Sequence, residues 1–546
     1  MTEVQPLGLL ERARQPAVPA ESAGHVLALR ATSAAEVVPV LRRLAYSADL
    51  FEVRGDVLVG AEALGTEPVP AYVRAQLDDM RAATDRPFIF SLRTVAQGGF
   101  LPDGSPAAVA LYQTAVDAGV AYVEIGVDCW PLDVVAAVAA YAAARKTSVI
   151  GSVYDSTSLT WDSPALVSTL LAAEQHVDLF KVTLSADDLE FERVLSSFAP
   201  PGNVTKPVIK VMTGAAESFA QLSAPVSWIS HELLPTAVRD PFSEPMTLRQ
   251  LNAARALAGL IRPMRFYVIG HNISYTMSPI IHNAAFRELG LPYTYSIFDT
   301  PDIKNVVDLI GRADFGGASV TVPHKVALMP LLDRLSDSVT LIGASNTVVV
   351  SRPEADTPPT LTGDNTDWLG IKGCIEGVWP EAGTCRAGLI IGAGGAARAS
   401  VYALYRLGVQ TIYIVNRTVS KCEQIRDEFV DKVAVVVLES LHNLPADFVP
   451  VEIIIGNVPA NTCAVADFPP AVFAAPNGGV LVEMAYKPPV TPLIQASRQA
   501  PGWKVVNGID ILLEQAYSQF TLWTQRRAPR EVMIKAIRDH MAANDM

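Results

Sequence analysis

From about Gly24, short apolar runs alternate with stretches whose apolar positions recur at helical spacing. VLALRA, DLFEVRGDVLV, PFIFSLRT, AYVEIGVD, TSVIGSVYD, VDLFKVTL, KPVIKVM and VSWIS are rich in β-branched and aromatic residues and predict strands. Between them, SPAAVALYQTAVDAG and DVVAAVAAYAAARK predict helices. Eight strand–helix alternations over about 240 residues predict a (β/α)8 barrel, with its reactive groups at the C-terminal ends of the strands. The helical pattern MTLRQLNAARALAGLIRP follows, and a fresh strand opens at Arg265, which puts a boundary near 261–264.

Beyond the boundary the pattern predicts two α/β lobes. One spans 263–368. The other spans 369–508 and contains the strand AGLII at 387–391, and helices from 509 to 546 return toward the first lobe. The whole chain is thus expected to be α/β: a tail over 1–22, a barrel over 23–262, then the two-lobed unit. Composition agrees with large buried cores, since 50% of the 546 residues are hydrophobic and 18% charged. A net charge of −13 argues against direct nucleic-acid binding. Five scattered cysteines without a CxxC pair argue against a disulfide framework or a structural zinc site. No apolar run reaches the length of a membrane span and no signal layout opens the chain, so a cytoplasmic setting is expected.

The sharpest local chemistry is the strand–turn–helix pattern GLIIGAGGAAR. Gly392, Gly394, Gly395 and Ala396 lie where backbone amides and a helix N-terminus can approach a diphosphate. The next strand, TIYIV, ends in Asn416, Arg417 and Thr418. An acid at this strand end would suit the ribose hydroxyls of NAD; Arg417 suits a 2′-phosphate, so NADP is the expected cofactor. The first lobe offers Thr276, Ser278, Lys325, Asn346 and Asp367, a set able to hold a small polyhydroxylated acid. A lysine and a carboxylate there can pass a proton at a carbinol oxygen.

Residues 264–546 resemble the shikimate dehydrogenase family through ISYTMSPIIHN, GGASVTVPHK, IGASNT, GDNTDWLGI, GAGGAAR, NRT, AYKPPVTPL and NGIDILLEQAYSQFTLWT. The wording is similar to fungal pentafunctional aromatic-pathway polypeptides and to their relative, the quinate-pathway repressor. The resemblance implies a Rossmann NADP domain, Thr276 and Ser278 on the substrate carboxylate, and Lys325 with Asp367 as the catalytic pair. It also implies Asn346 and Gln515 as substrate contacts, and Ser319 where many members carry Asn. The implied reaction is NADP-dependent reduction of 3-dehydroshikimate, or the reverse oxidation of shikimate or quinate, with no metal.

Residues 24–262 resemble type I 3-dehydroquinate dehydratase, a barrel that works through a lysine Schiff base. Glu52, Arg54, Arg93 and Lys181 fit family positions. The departures predict a silent barrel. Tyr154 stands in place of the family's general-base histidine, and Gly126 where a second carboxylate is expected. The binding arginine of an MGxxGxxSR-like loop has no counterpart in MTGAAESFAQ, and the late loop reads DPFSEP. A phenol titrates near 10, too high to shuttle protons at neutral pH. The leading expectation is therefore an active dehydrogenase fused to an inactive barrel. A repressor-like regulator that senses a shikimate or quinate metabolite and meets a transcription activator is the alternative. A bifunctional dehydratase–dehydrogenase is third.

Overall fold

The structure, a computed structural model, describes residues 9–13, 23–58, 69–155, 161, 163–185, 202–214, 217–234, 245–352, 358–380 and 382–544. The chain divides into two compact units, Met1–Arg262 with Arg287–Pro292 and Pro263–Phe286 with Tyr293–Met546. Among the described residues no helix is long and apolar enough to cross a membrane.

The first unit is a parallel eight-stranded sheet: β1 (Gly24–Leu29), β2 (Leu50–Arg54), β3 (Phe88–Ser91), β4 (Tyr122–Gly126), β5 (Ser148–Asp155), β6 (Leu179–Ser185), β7 (Val208–Thr213) and β8 (Val226–Ile229). The order β7-β6-β5-β4-β3-β2-β1-β8 carries it round to near closure, and no ladder joins β7 to β8 among the described residues. All eight predicted strands are present. Their inward residues stack in levels. Val26, Leu50, Ile89, Ile150, Leu179, Ile209 and Val226 pack as one apolar floor. Two residues further along, the same face carries Glu52, Ser91, Glu124, Lys181 and Trp228, because side chains alternate across a strand.

One expectation needs correction at the N-terminus. Leu9–Ala13 is a short helix rather than loose tail. Its Arg12 is buried, with Nη2 3.7 Å from Asp49, whose carboxylate also accepts the His25 amide at 2.9 Å. A buried guanidinium beside a carboxylate is reason enough for the segment to dock. The rest of the predicted tail lies outside the described residues.

The second unit opens with a mixed sheet of β9 (Met264–Gly270), β10 (Tyr293–Asp299), β11 (Phe315–Val320), β12 (Arg334–Leu335), β13 (Thr347–Ser351) and β14 (Thr360–Asp364), ordered β10-β9-β11-β13-β14-β12. Its partner sheet is wholly parallel: β15 (Ala387–Ile391), β16 (Thr411–Val415), β17 (Ala434–Leu438), β18 (Ile453–Gly456), β19 (Gly479–Glu483) and β20 (Trp503–Val506). Alternate residues feed two cores. Ile390, Ile412, Ile455 and Val482 face one layer of helices, and Leu389, Tyr413, Ile454 and Leu481 face the other. Burial on both faces explains why these strands read as continuous apolar runs. The order β17-β16-β15-β18-β19-β20 is the doubly wound 3-2-1-4-5-6 arrangement, whose strand order reverses between β15 and β18.

Two helices tie the lobes together. Asp367–Val378 packs against both Gly395–Leu407 and Gly508–Thr524. The latter starts at a reciprocal cap between Asn507 and Asp510, and it contacts β11 and β13 of the first lobe. That return path carries Gln515 and Gln519 back to the polar set.

Candidate functional site

In the second unit, β11 runs through a short turn into helix His324–Ala327, which presents Lys325. His324 is buried, and its imidazole bonds the Thr300 carbonyl at 2.7 Å, which anchors the turn. Lys325 Nζ donates to Asp367 Oδ2 at 2.5 Å, and both side chains keep partial exposure, 17% and 13%. Asp367 begins helix Asp367–Val378, where the helix dipole favours a carboxylate. Its other oxygen accepts Asn346 Nδ2 at 2.8 Å. Asn346 is itself fixed, since its Oδ1 accepts the Thr366 amide and the Thr347 hydroxyl, each at 2.7 Å. The pair is thus one lysine and one carboxylate, each oriented and each partly exposed.

A buried polar chain extends from this pair. Thr366 Oγ1 donates to Gln515 Oε1 at 3.2 Å. Gln519 Nε2 donates to Thr347 Oγ1 at 3.0 Å, Ser319 donates to Gln519 Oε1 at 2.8 Å, and Tyr295 donates to Ser319 at 2.6 Å. Burial pushes the Tyr295 phenol up, against the pull of the Ser319 and Ser278 hydroxyls. Ser278 accepts from Thr276 Oγ1 at 3.2 Å, so the chain reaches the first-lobe hydroxyls named from sequence. The structure therefore gathers Thr276, Ser278, Lys325, Asn346, Asp367 and Gln515 into one bonded region. Sequence reading missed Tyr295 and Gln519. Gln519 follows Gln515 by four residues, the spacing that puts two side chains on one helix face, so a signal was present.

The Gly-rich turn lies at the strand-order reversal. Gly392 leaves β15 at φ +107°, and a Cβ there would stand 3.0 Å from the Asn457 carbonyl oxygen, so glycine is required. Gly394 caps and Gly395 begins helix Gly395–Leu407, with open space beside both, and Ala396 follows. Asn457 Nδ2 is buried there without a hydrogen-bond partner. Bare amides at a helix N-terminus, open space and an unpaired donor fit a dinucleotide's diphosphate. At the end of β16, Asn416 Nδ2 donates to the Thr418 carbonyl at 3.1 Å, and Arg417 and Thr418 are exposed.

In the first unit, Lys181 is buried on β6. Its Nζ lies 2.9 and 3.2 Å from the two Glu124 oxygens and 3.5 Å from Glu52. Burial alone would raise the Glu52 carboxyl, but Lys181, Arg93 and Arg54 together hold it below the usual range. Ser91 donates to Glu52 at 2.8 Å. The Trp228 indole N–H donates to the other Glu52 oxygen at 2.5 Å, and the indole face lies 4.1 Å from Lys181 Nζ. Arg54 is committed to Asp56 through two bonds of 2.8 and 2.7 Å. Arg93 sits 5.1 Å from the Tyr154 ring, and both line an open cavity with Lys181, Thr183, Thr213 and Trp228.

Gly126 carries no carboxylate, as expected, but one does stand beside Lys181. The carboxylate is Glu124, on the same strand and the same inward face two residues earlier. A Cβ at position 126 would lie 2.6 Å from Cys129 Sγ and from Gln97 Nε2, so those side chains pack against the glycine. The DPFSEP loop falls mostly outside the described residues, as do Ala215 and Ala216 of MTGAAESFAQ.

The second unit thus sets a doubly wound sheet of the dinucleotide-binding kind beside an oriented lysine–aspartate pair. The first is a barrel built round a buried lysine. Comparison with known proteins gives the family. The type I 3-dehydroquinase profile matches residues 25–261, and the shikimate dehydrogenase substrate-binding domain matches 268–348. The shikimate / quinate 5-dehydrogenase profile matches 381–467 and the shikimate 5'-dehydrogenase C-terminal domain 508–538. The pentafunctional AROM polypeptide of Mycosarcoma maydis is 33% identical over 91% of this chain and 31% of its own length. That of Malassezia globosa is 35% identical over 89% of this chain and 30% of its own. The chain thus spans about a third of these relatives. A solved structure, the dehydroquinate dehydratase and shikimate dehydrogenase from S. pombe AroM, superposes with a TM-score of 0.74 at 30% identity, covering 94% of this chain and 98% of that one. The chain belongs to the family of fused type I 3-dehydroquinase and shikimate dehydrogenase domains found in AROM polypeptides.

Proposed function

We propose that the second unit is an NADP-dependent shikimate- or quinate-type dehydrogenase and that the barrel fused to it does not dehydrate 3-dehydroquinate. The observation that carries the first half is the Lys325–Asp367 pair at 2.5 Å, with the second aspartate oxygen fixed by Asn346. Bound NADP supplies the hydride chemistry. Lys325 and Asp367 take the carbinol proton in oxidation and return it in reduction. Thr276 and Ser278 bind the substrate carboxylate, and Gln515 contacts the ring hydroxyls. Gly392, Gly394, Gly395 and Ala396 receive the diphosphate; Asn416, Arg417 and Thr418 receive the 2′-phosphorylated ribose. The test is spectrophotometric: purified protein with NADP and either shikimate or quinate should produce NADPH. Tight substrate binding without turnover would reject an enzyme and favour a metabolite sensor.

Silence of the barrel rests on Tyr154, which leaves no imidazole at the proton-shuttle position, and on the missing loop arginine. Glu124 beside Lys181 favours a second reading, in which the barrel still reacts. Direct assay for dehydration of 3-dehydroquinate separates the two; product formation at any enzyme-like rate would reject silence.

A further inference from the structure

We infer that Trp228 is the residue that closes the barrel's lysine to carbonyl ligands. The inference rests on the reading of a silent barrel and names its cause. Lys181 and Trp228 project from β6 and β8 into the same interior level, with Glu52 and Glu124 from β2 and β4. The indole face stands 4.1 Å from Nζ. The ring cannot swing aside freely, because its N–H is engaged by a fully buried Glu52 oxygen at 2.5 Å. Trp228 is itself half-exposed and lines the cavity that Arg93, Tyr154, Thr183 and Thr213 surround. Its ring therefore covers one side of a lysine that lines the same cavity yet has only 3% of its surface exposed.

The chemistry makes this position decisive. Imine formation requires Nζ to give up a proton and direct its lone pair at a carbonyl carbon. The C–N bond forms and the carbonyl oxygen departs as water. Here the Glu124 and Glu52 carboxylates flank Nζ on one side and the indole face covers another. The ring thereby narrows the path by which a ketone reaches Nζ. The ring also occupies volume beside the β7–β8 edge, where the sheet lacks a ladder among the described residues. Installing a histidine at position 154 alone would therefore not restore reaction; the indole must be removed as well.

The test uses the full chain with 3-dehydroquinate and sodium borohydride, which reduces an imine to a stable secondary amine. Mass spectrometry then reads the Lys181 peptide. The wild type should show trace adduct. Trp228→Ala should raise it about tenfold or more, while Trp228→Phe, which keeps a ring but loses the N–H that pins it, should fall between the two. An unreactive Trp228→Ala with a native unfolding transition overturns the inference and leaves the silent-barrel reading standing. A wild type that forms adduct and releases product overturns both. Should Trp228→Ala fail to fold, cyanate labelling of the wild type decides. Lys181 should be carbamylated far more slowly than exposed Lys535, and equal rates would refute a sealed amine.

Discussion

His282 provides a direct test of how tightly the substrate lobe is packed. It is fully buried, stacked 4.6 Å from Tyr295 and tilted 5.0 Å from Trp523, and the Gln519 side chain lies near the imidazole without a well-formed hydrogen bond to it. Burial pushes the imidazole down to about 3, with Gln519 pulling weakly the other way. The unfolded chain titrates near 6.5. The folded value is the lower one, so the native state binds fewer protons. The stabilisation is fully present above about pH 6.5 and is lost as pH falls toward 3. At pH 5 the loss relative to pH 8 comes to about 2 kcal/mol, within a ceiling of about 5 kcal/mol in strong acid. His282→Phe keeps an aromatic ring and removes the titration. Urea-dependent hydrogen exchange of the β9 and β11 peptides, at pH 8 and pH 5, isolates this lobe from the barrel. The wild type should lose about 2 kcal/mol more than the variant across that interval. Equal losses in both proteins would mean that the ring is solvated or partnered in solution, and the packing argument would fail.

Three further outcomes are expected. Lys325→Met should lower kcat by about 10²–10⁴ with little change in KM, since the lysine serves the proton and not the carboxylate; near-normal steady-state turnover would remove it from the mechanism. Arg417→Ala should weaken NADPH about 10- to 100-fold by titration calorimetry and leave NADH almost untouched, whereas parallel losses would contradict a 2′-phosphate role. Gly392→Ala should cost about 1–3 kcal/mol in thermal unfolding and abolish dinucleotide binding, because φ +107° and the nearby Asn457 carbonyl tolerate no Cβ; an unchanged melting temperature would show that the turn can relax.

Much of this fold could be read along the chain because its signals are local. Parallel strands buried on both faces read as apolar runs, and all eight barrel strands stand where those runs lie. Lys325, Asp367 and the glycine turn sit in short, distinctive motifs next to predictable strand ends. What escaped reading depends on distance. Glu124 and Gly126 share an inward face, so period-two reasoning cannot choose between them; only the Cys129 and Gln97 atoms packed beside position 126 do so. Trp228 meets Glu52 across 176 residues, and Ser319 meets Gln519 across 200. No pattern within one segment announces such a meeting. The helix at Leu9–Ala13 was hidden likewise, since its anchor, Asp49, lies 37 residues on from Arg12, just before β2.

The placement of Asp367 at the first turn of the helix shared by both lobes has a mechanical consequence. The carboxylate rides on the same rigid rod that packs against the dinucleotide-side helix Gly395–Leu407, while Lys325 belongs wholly to the opposite lobe. Any rocking of one lobe on the other acts as a lever on the gap between ammonium and carboxylate. Relative movement of the lobes would thereby change the Lys325–Asp367 contact itself, without a separate gate.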